Sequence, residues 1–133
     1  MLANVTTQDA VITDNPQGVT SVGNHPQGVP ANMANLWTSY DFAHSALRGF
    51  KVGAGVNYLA KSWSDITDIN HIPSFVIGNA TVSYARPGWN LHLNVDNFTG
   101  RRYFIAANAA GAYQGNPASV YGGITWNPGL HSR

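Results

Sequence analysis

Residues 89–96 read WNLHLNVD, an unbroken alternation with Trp89, Leu91, Leu93 and Val95 on one parity and Asn90, His92, Asn94 and Asp96 on the other. Successive side chains of an extended chain point to opposite faces, so this stretch makes a strand with one apolar and one polar face. A helix cannot use the pattern, because its apolar stripe repeats about every 3.6 residues. Two environments accept such a strand: its apolar face lies on a protein core, or it meets the hydrocarbon of a bilayer.

The same pattern returns along the chain. In residues 50–62 the even positions Phe50, Val52, Ala54, Val56, Tyr58 and Ala60 are apolar. Of the odd positions Lys51, Gly53, Gly55, Asn57, Leu59 and Lys61, only Leu59 departs. A run this long exceeds the roughly five or six residues of a common globular strand and suits a tilted strand crossing a membrane. Residues 34–42 set Leu36, Thr38, Tyr40 and Phe42 against Trp37, Ser39 and Asp41. After Pro73, Val76, Ala80, Val82 and Tyr84 oppose Ile77, Asn79, Thr81 and Ser83. A last strand over 118–126 sets Val120, Gly122, Ile124 and Trp126 against Ser119, Tyr121, Gly123 and Thr125, and Asn127, Pro128 and Gly129 stop it. Residues 2–12 read as a weaker strand, rich in Val and Thr with imperfect alternation.

The segments between these strands differ in length in an ordered way. Residues 13–30, including the turn-like NPQGV and HPQGV, and residues 104–117 have loop composition; 63–72 form a polar loop with Asp65, Asp68, Asn70 and His71. Residues 43–48 and the Arg86, Pro87, Gly88 turn are short. Connections therefore alternate long, short, long, short, long, as in an up-and-down barrel with long loops on one side. Tyr40, Phe42, Phe50, Tyr84, Trp89 and Trp126 fall at the short-turn ends, and Tyr58, Trp63, Phe75, Tyr103 and Phe104 near the long-loop ends. Two aromatic bands separated by small aliphatic residues match the girdles of a membrane barrel, whereas a soluble sandwich has no reason to sort rings by strand end.

Composition narrows the function classes. Charged residues make up only 10% of the 133, against about 25% in an ordinary soluble domain. The seven basic and six acidic side chains are scattered, so there is no basic stripe for nucleic acid or for an anionic leaflet. Cysteine is absent, and His25, His44, His71, His92 and His131 lie too far apart for a zinc-ligand motif, so no metal or cofactor is expected. Asp is the only carboxylate residue, with no nucleophile elbow and no acid-base pair, which argues against an enzyme. No apolar run is long enough for a membrane-spanning helix, and MLANVTTQDAVITD lacks the signal-peptide pattern, so export would require an upstream segment.

Four stretches in order, LWTSYDF from Leu36, GFKVGAGVNYLAKSW from Gly49, IPSFVIGNATVSY from Ile72 and WNLHLNVDNFTGRRYF from Trp89, resemble the C-terminal barrel strands of TonB-dependent outer-membrane siderophore receptors. The matching residues are Trp37 and Tyr40; Gly53, Gly55 and Tyr58; Pro73 and Phe75; and Asn94, Val95, Asn97, Arg102 and Tyr103. The chain departs from that pattern at its last strand, where Ala118 follows Pro117.

The resemblance implies an all-β fold: an antiparallel up-and-down meander of about six strands, part of a transmembrane β-barrel. It implies that residues 1–133 are the C-terminal portion of a receptor barrel of about twenty-two strands whose plug domain and other strands are absent. About six strands cannot close alone, and an open sheet in a bilayer leaves edge groups unpaired at several kcal/mol each, roughly. The isolated chain is then expected to aggregate, oligomerise or fold only in part.

The function implied is outer-membrane uptake of a ferric siderophore, energised by a TonB complex acting through the plug, with outer-membrane lipid around the barrel and no nucleic-acid partner. Tyr103, Phe104 and Tyr113, on or beside the last long loop, offer aromatic surface for a siderophore, though Tyr103 and Phe104 also suit girdle anchoring; Arg101 and Arg102 suit an anionic complex or interfacial snorkelling. Asn57, Asn79, Asn90, His92, Asn94 and Asp96 line the lumen in this arrangement. Two other classes fit the alternation: a soluble β-sandwich binding module for carbohydrate or another ligand, and a small outer-membrane pore completed by oligomerisation.

Overall fold

The computed structural model describes residues 1–16, 21–44, 46–108 and 111–126; the proposed stop at Asn127, Pro128 and Gly129 and part of NPQGV lie outside them. The strands are β1 (Leu2–Thr7), β2 (Asn32–Asp41), β3 (Phe50–Leu59), β4 (Ser62–Trp63), β5 (His71–Ile72), β6 (Phe75–Arg86), β7 (Trp89–Asp96), β8 (Phe104–Asn108), β9 (Gly111–Gln114) and β10 (Ser119–Trp126). Six of them form one antiparallel sheet in the order β1-β2-β3-β6-β7-β10. The pairs β4-β5 and β8-β9 are separate two-stranded ladders. Each neighbour in the large sheet is the next long strand in sequence, so the topology is a meander.

Register carries the two-faced pattern from strand to strand. Leu36 pairs with Val56, Val52 with Val82, Val82 with Leu93 and Leu93 with Gly122. On the other face Asn57 pairs with Ile77, Thr81 with Asn94, and Asn94 with Tyr121. Directly paired residues share a face, so a single apolar surface runs across the sheet and a mostly polar one backs it. At ten residues for β3 and twelve for β6, the central strands have the length a tilted transmembrane strand needs.

Among the described residues no second layer covers the apolar surface. Among the described residues the buried hydrophobic ones are Ala60 and Ile72, while Leu36, Val52, Val56, Val76, Leu93, Val120 and Ile124 are exposed. A sandwich would bury them against a second sheet, and none is present among the described residues. A continuous apolar face of this kind is the surface a barrel turns toward lipid.

Glycine shapes the sheet at two places, under Trp37 and at the β6–β7 turn. A Cβ on Gly55 would stand 2.4 Å from the Trp37 ring, and one on Gly53 2.8 Å from it, so the indole lies across the polar face where β3 offers no side chains. The alternating glycines of GFKVGAGV are thus the bed for Trp37. At the β6–β7 turn, Arg86 pairs with Trp89 around Pro87 and Gly88, whose φ of 90° belongs to the left-handed region that glycine adopts without strain.

The structure differs from the sequence reading in four places. The first strand ends at Thr7 and not at Ile12, because Gln8 turns to bond Ala31 and Pro30 at the base of the following loop. The polar loop after β3 contains the short β4-β5 ladder, and the segment read as loop from Phe104 contains the β8-β9 hairpin. The end of β3 also comes earlier than the alternation suggests, at Leu59.

Candidate functional site

Three long connections, 8–31, 60–74 and 97–118, leave the sheet at one end, and the two short ones, 42–49 and 87–88, leave it at the other. The long connections are bonded to one another. In the first, Ile12 N–H donates to Asn24 O and Gly23 N–H to Ile12 O, both at 2.8 Å, which folds the loop back on itself.

That loop rests on the second through Asp68. The backbone N–H of His25 donates to Asp68 Oδ1 at 3.1 Å, and His25 Nδ1 lies 2.7 Å from Asp68 Oδ2. Asn24 Nδ2 donates to Ile66 O at 2.9 Å and Gly28 N–H to Trp63 O at 2.8 Å. Asp68 has a φ of 56°, a left-handed value that Asp tolerates better than most residues, and this aims the loop tip at His25.

Asp65 organises the same tip from below. Its carboxylate accepts from Thr67 N–H at 2.9 Å, Thr67 Oγ1 at 2.5 Å, Asn70 N–H at 3.2 Å and Asn70 Nδ2 at 3.2 Å. The Thr67 hydroxyl above all, with the Thr67 and Ile69 amides and the Asn70 side chain, holds this carboxyl well below the usual carboxylate range. Beneath, the Trp63 ring lies 5.8 Å from His25, 6.3 Å from His71 and 5.1 Å from Lys61 Nζ. A cavity of about 140 Å³ opens beside them, lined by Gln8, Asp9, His25, Pro30, Lys61 and Trp63 among others.

The third loop is fastened by Asn97, buried to 2% exposure with a φ of 48°. Its backbone N–H donates to Asn79 Oδ1 at 2.9 Å, and its Nδ2 donates to Arg101 O at 2.8 Å and Asn116 O at 3.1 Å. Its Oδ1 accepts from Thr99 Oγ1 and Arg101 N–H, each at 3.1 Å. One amide therefore joins both ends of the loop to β6. Gln27 Nε2 reaches Ala107 O at 2.9 Å, which ties the hairpin back to the first loop.

The residues expected to meet ligand divide into two sets. Phe104 and Tyr113 sit on opposite strands of the β8-β9 hairpin and are exposed. Tyr103 is half-buried: its ring lies 4.4 Å from that of Phe75, and a Cβ on Gly115 would approach it to 2.1 Å. Phe75 pairs with Leu59 and shares its polar-side face, so Tyr103 packs on that side of the sheet and away from the apolar surface. Arg101 and Arg102 are exposed at the loop base.

On the apolar face, the short-turn end carries the aromatic band the sequence placed there. Phe50 and Tyr84 have ring centroids 4.3 Å apart, Tyr40 and Phe42 4.8 Å, and Trp89 pairs directly with Trp126. At the other end Tyr58 keeps its place, and Phe98 joins it by lying over Gly78, where a Cβ would come within 2.4 Å of the ring. Sequence reasoning did not assign Phe98 to the girdle, Asn97 to the loop base, or His25 and Asp68 to each other. The visible signals were a bare glycine in β6 and an Asn placed directly after a strand.

Among the described residues no three His, Cys, Asp or Glu side chains converge as metal ligands. The loop end is a set of hydrogen-bonded loops over a mostly polar sheet face. A two-faced antiparallel meander with aromatic bands, tight turns at one end and bonded long loops at the other is a segment of a transmembrane β-barrel.

The particular barrel follows from comparison. Residues 1–98 match the family model for the TonB-dependent receptor-like β-barrel, and the chain belongs to that family. It is 33% identical over 106 residues to the ferrioxamine receptor of Yersinia enterocolitica, a match covering 74% of this chain and 14% of that receptor. The siderophore receptor PiuA of Acinetobacter baumannii superposes with a TM-score of 0.66 at 29% identity, over 79% of this chain and 15% of that one. The ferric preacinetobactin receptor BauA of the same organism shares the fold at 18% identity, with a TM-score of 0.75 over 90% of this chain and 18% of that one. The chain thus spans about a seventh of the length of such receptors.

Proposed function

We propose that residues 1–133 are the C-terminal portion of the barrel of an outer-membrane receptor for TonB-dependent uptake of ferric siderophores. The observation that carries this reading is the family match over a sheet whose apolar face is uncovered and whose edges, β1 and β10, are unpaired among the described residues. Those edges call for neighbouring strands, because unpaired backbone in hydrocarbon costs several kcal/mol per group, roughly. The rest of the barrel supplies them, and the TonB complex acts through a plug that these residues do not contain.

In this reading the loop end faces the outside and receives the ferric siderophore. Phe104 and Tyr113 offer it exposed rings, and Tyr103 supports them from beneath through its contact with Phe75. The chain has a transport role and no catalytic one.

The test is a chimera. The matching segment of the Yersinia enterocolitica ferrioxamine receptor is replaced by residues 1–98, and growth on ferrioxamine is measured under iron limitation. Growth restored above a plugged, strand-deleted control supports the reading. A chimera that reaches the outer membrane and transports nothing opposes it. For the isolated chain, β structure that appears only with detergent supports a membrane strand set, while a compact soluble monomer in plain buffer would sink it.

A further inference from the structure

We propose that the short-turn end of the sheet binds the phosphate headgroup of an anionic phospholipid, with Arg48 and Arg86 as its cationic ligands. This rests on the membrane-spanning reading above. Because β3 pairs with β6, the connections 42–49 and 87–88 stand side by side, and an opening of about 590 Å³ lies between them. Asp41, His44, Arg48, Gly49, Arg86 and Pro87 line it. Arg48 and Arg86 are exposed, and among the described residues neither has a carboxylate in ion-pair range.

The aromatic girdle sits against this opening. Arg86 Nε–H donates to the Tyr84 hydroxyl, its guanidinium lies 5.1 Å from the Tyr84 ring, and Tyr84 in turn packs on Phe50. Guanidinium groups at the level of interfacial rings are placed where a lipid phosphate lies, and their fork matches phosphate oxygens. The acyl chains then run along the apolar face over Val52 and Val82, which pair with each other.

Charge is also sorted along the strands. The short-turn end carries Arg48, Lys51 and Arg86 against Asp41 alone. The loop end carries Asp9, Asp14, Asp65, Asp68 and Asp96 against Lys61, Arg101 and Arg102. Folding gathers basic residues that are scattered in the sequence into one net positive end, which favours an anionic leaflet.

The experiment uses the full chain refolded in neutral detergent, with native mass spectrometry of retained phosphatidylglycerol and phosphatidylcholine. Preferential retention of phosphatidylglycerol is expected, weakened about fivefold for each guanidinium removed in Arg48→Gln and Arg86→Gln, and unchanged in Lys61→Gln at the opposite end. Equal retention of the two lipids, or a double variant that retains phosphatidylglycerol as before, overturns the site. Displacement of the lipid by millimolar inorganic phosphate overturns the lipid assignment in favour of a free anion. Failure to gain β structure in detergent removes the membrane reading and this site together, whereas β structure without lipid preference removes the site alone.

Discussion

The side-chain carbonyl of Asn79, in the middle of β6, accepts the backbone N–H of Asn97 at 2.9 Å, just where β7 has ended and the last long loop begins. Asn97 itself holds Arg101 and Asn116, so the base of that loop is closed by one buried side chain. The position of the β8-β9 hairpin depends on this knot.

Replacing Asn97 by Ala removes every bond made by the Asn97 side chain, leaves only its backbone N–H on Asn79, and puts a Cβ residue with no side-chain hydrogen bond into a left-handed backbone. The expected cost is roughly 2 to 4 kcal/mol of local stability. Asn97→Gly keeps the backbone relaxed and recovers roughly 1 kcal/mol of it. Protease cleavage between residues 101 and 116 in the detergent-folded chain reads the effect, and equal resistance of wild type and Asn97→Ala would contradict the knot.

Gly78 and Phe98 are a matched pair. Gly78→Ala forces the Phe98 ring off the apolar face and is expected to destabilise by roughly 1 to 3 kcal/mol. In a Phe98→Ala background the same change should cost almost nothing, and a denaturant cycle over the four proteins measures the coupling. Additive effects would show that the ring is free to leave.

Leu93 and Asn94 are sequence neighbours on opposite faces, paired with Val82 and with Thr81 respectively. Leu93→Arg sets a charge toward lipid near the middle of β7 and is expected to cost roughly 2 to 4 kcal/mol in a bilayer. Asn94→Arg, on the polar face, should cost less than about 1 kcal/mol. Reversible unfolding in lipid vesicles compares them, and a reversed order would assign the faces wrongly.

The lowered carboxyl of Asp65 fixes the acid response of the 64–70 tip. A carboxyl whose folded pKa is depressed contributes stability above its unfolded value of about 4 and loses it only as pH falls through the lower folded value. The Thr67 and Asn70 amide shifts should therefore stay constant from about pH 6 to about pH 3. An NMR titration with a midpoint near 4 would show that the Asp65 bonds are not made in solution. In Asp65→Asn, Thr67 should lose its protection across that whole range.

What the sequence by itself determined is the set of relations that repeat locally. Side-chain parity is a property of each extended residue, so Leu91 and His92 declare opposite faces without any partner, and the long and short connections follow from where the alternation stops. The meander, its apolar face and the short-turn aromatic band were legible for that reason, as was the resemblance carried by Trp37, Gly53, Gly55 and Asn97.

Tertiary structure alone decided the loop end. Asn97 gains its role from Asn79 and Asn116, which lie in other segments, and Asp68 gains its role from His25 far upstream. Composition read 104–117 as loop because Ala, Gly and Asn have weak strand preference, yet pairing of Ala107 with Ala112 makes a hairpin there. Tyr103 leaves the girdle and Phe98 joins it for the same reason: a ring at a strand end goes to whichever face leaves a glycine open, Gly115 for one and Gly78 for the other. Alternation along a strand is encoded residue by residue, whereas contacts between loops exist only once the sheet has brought their ends together.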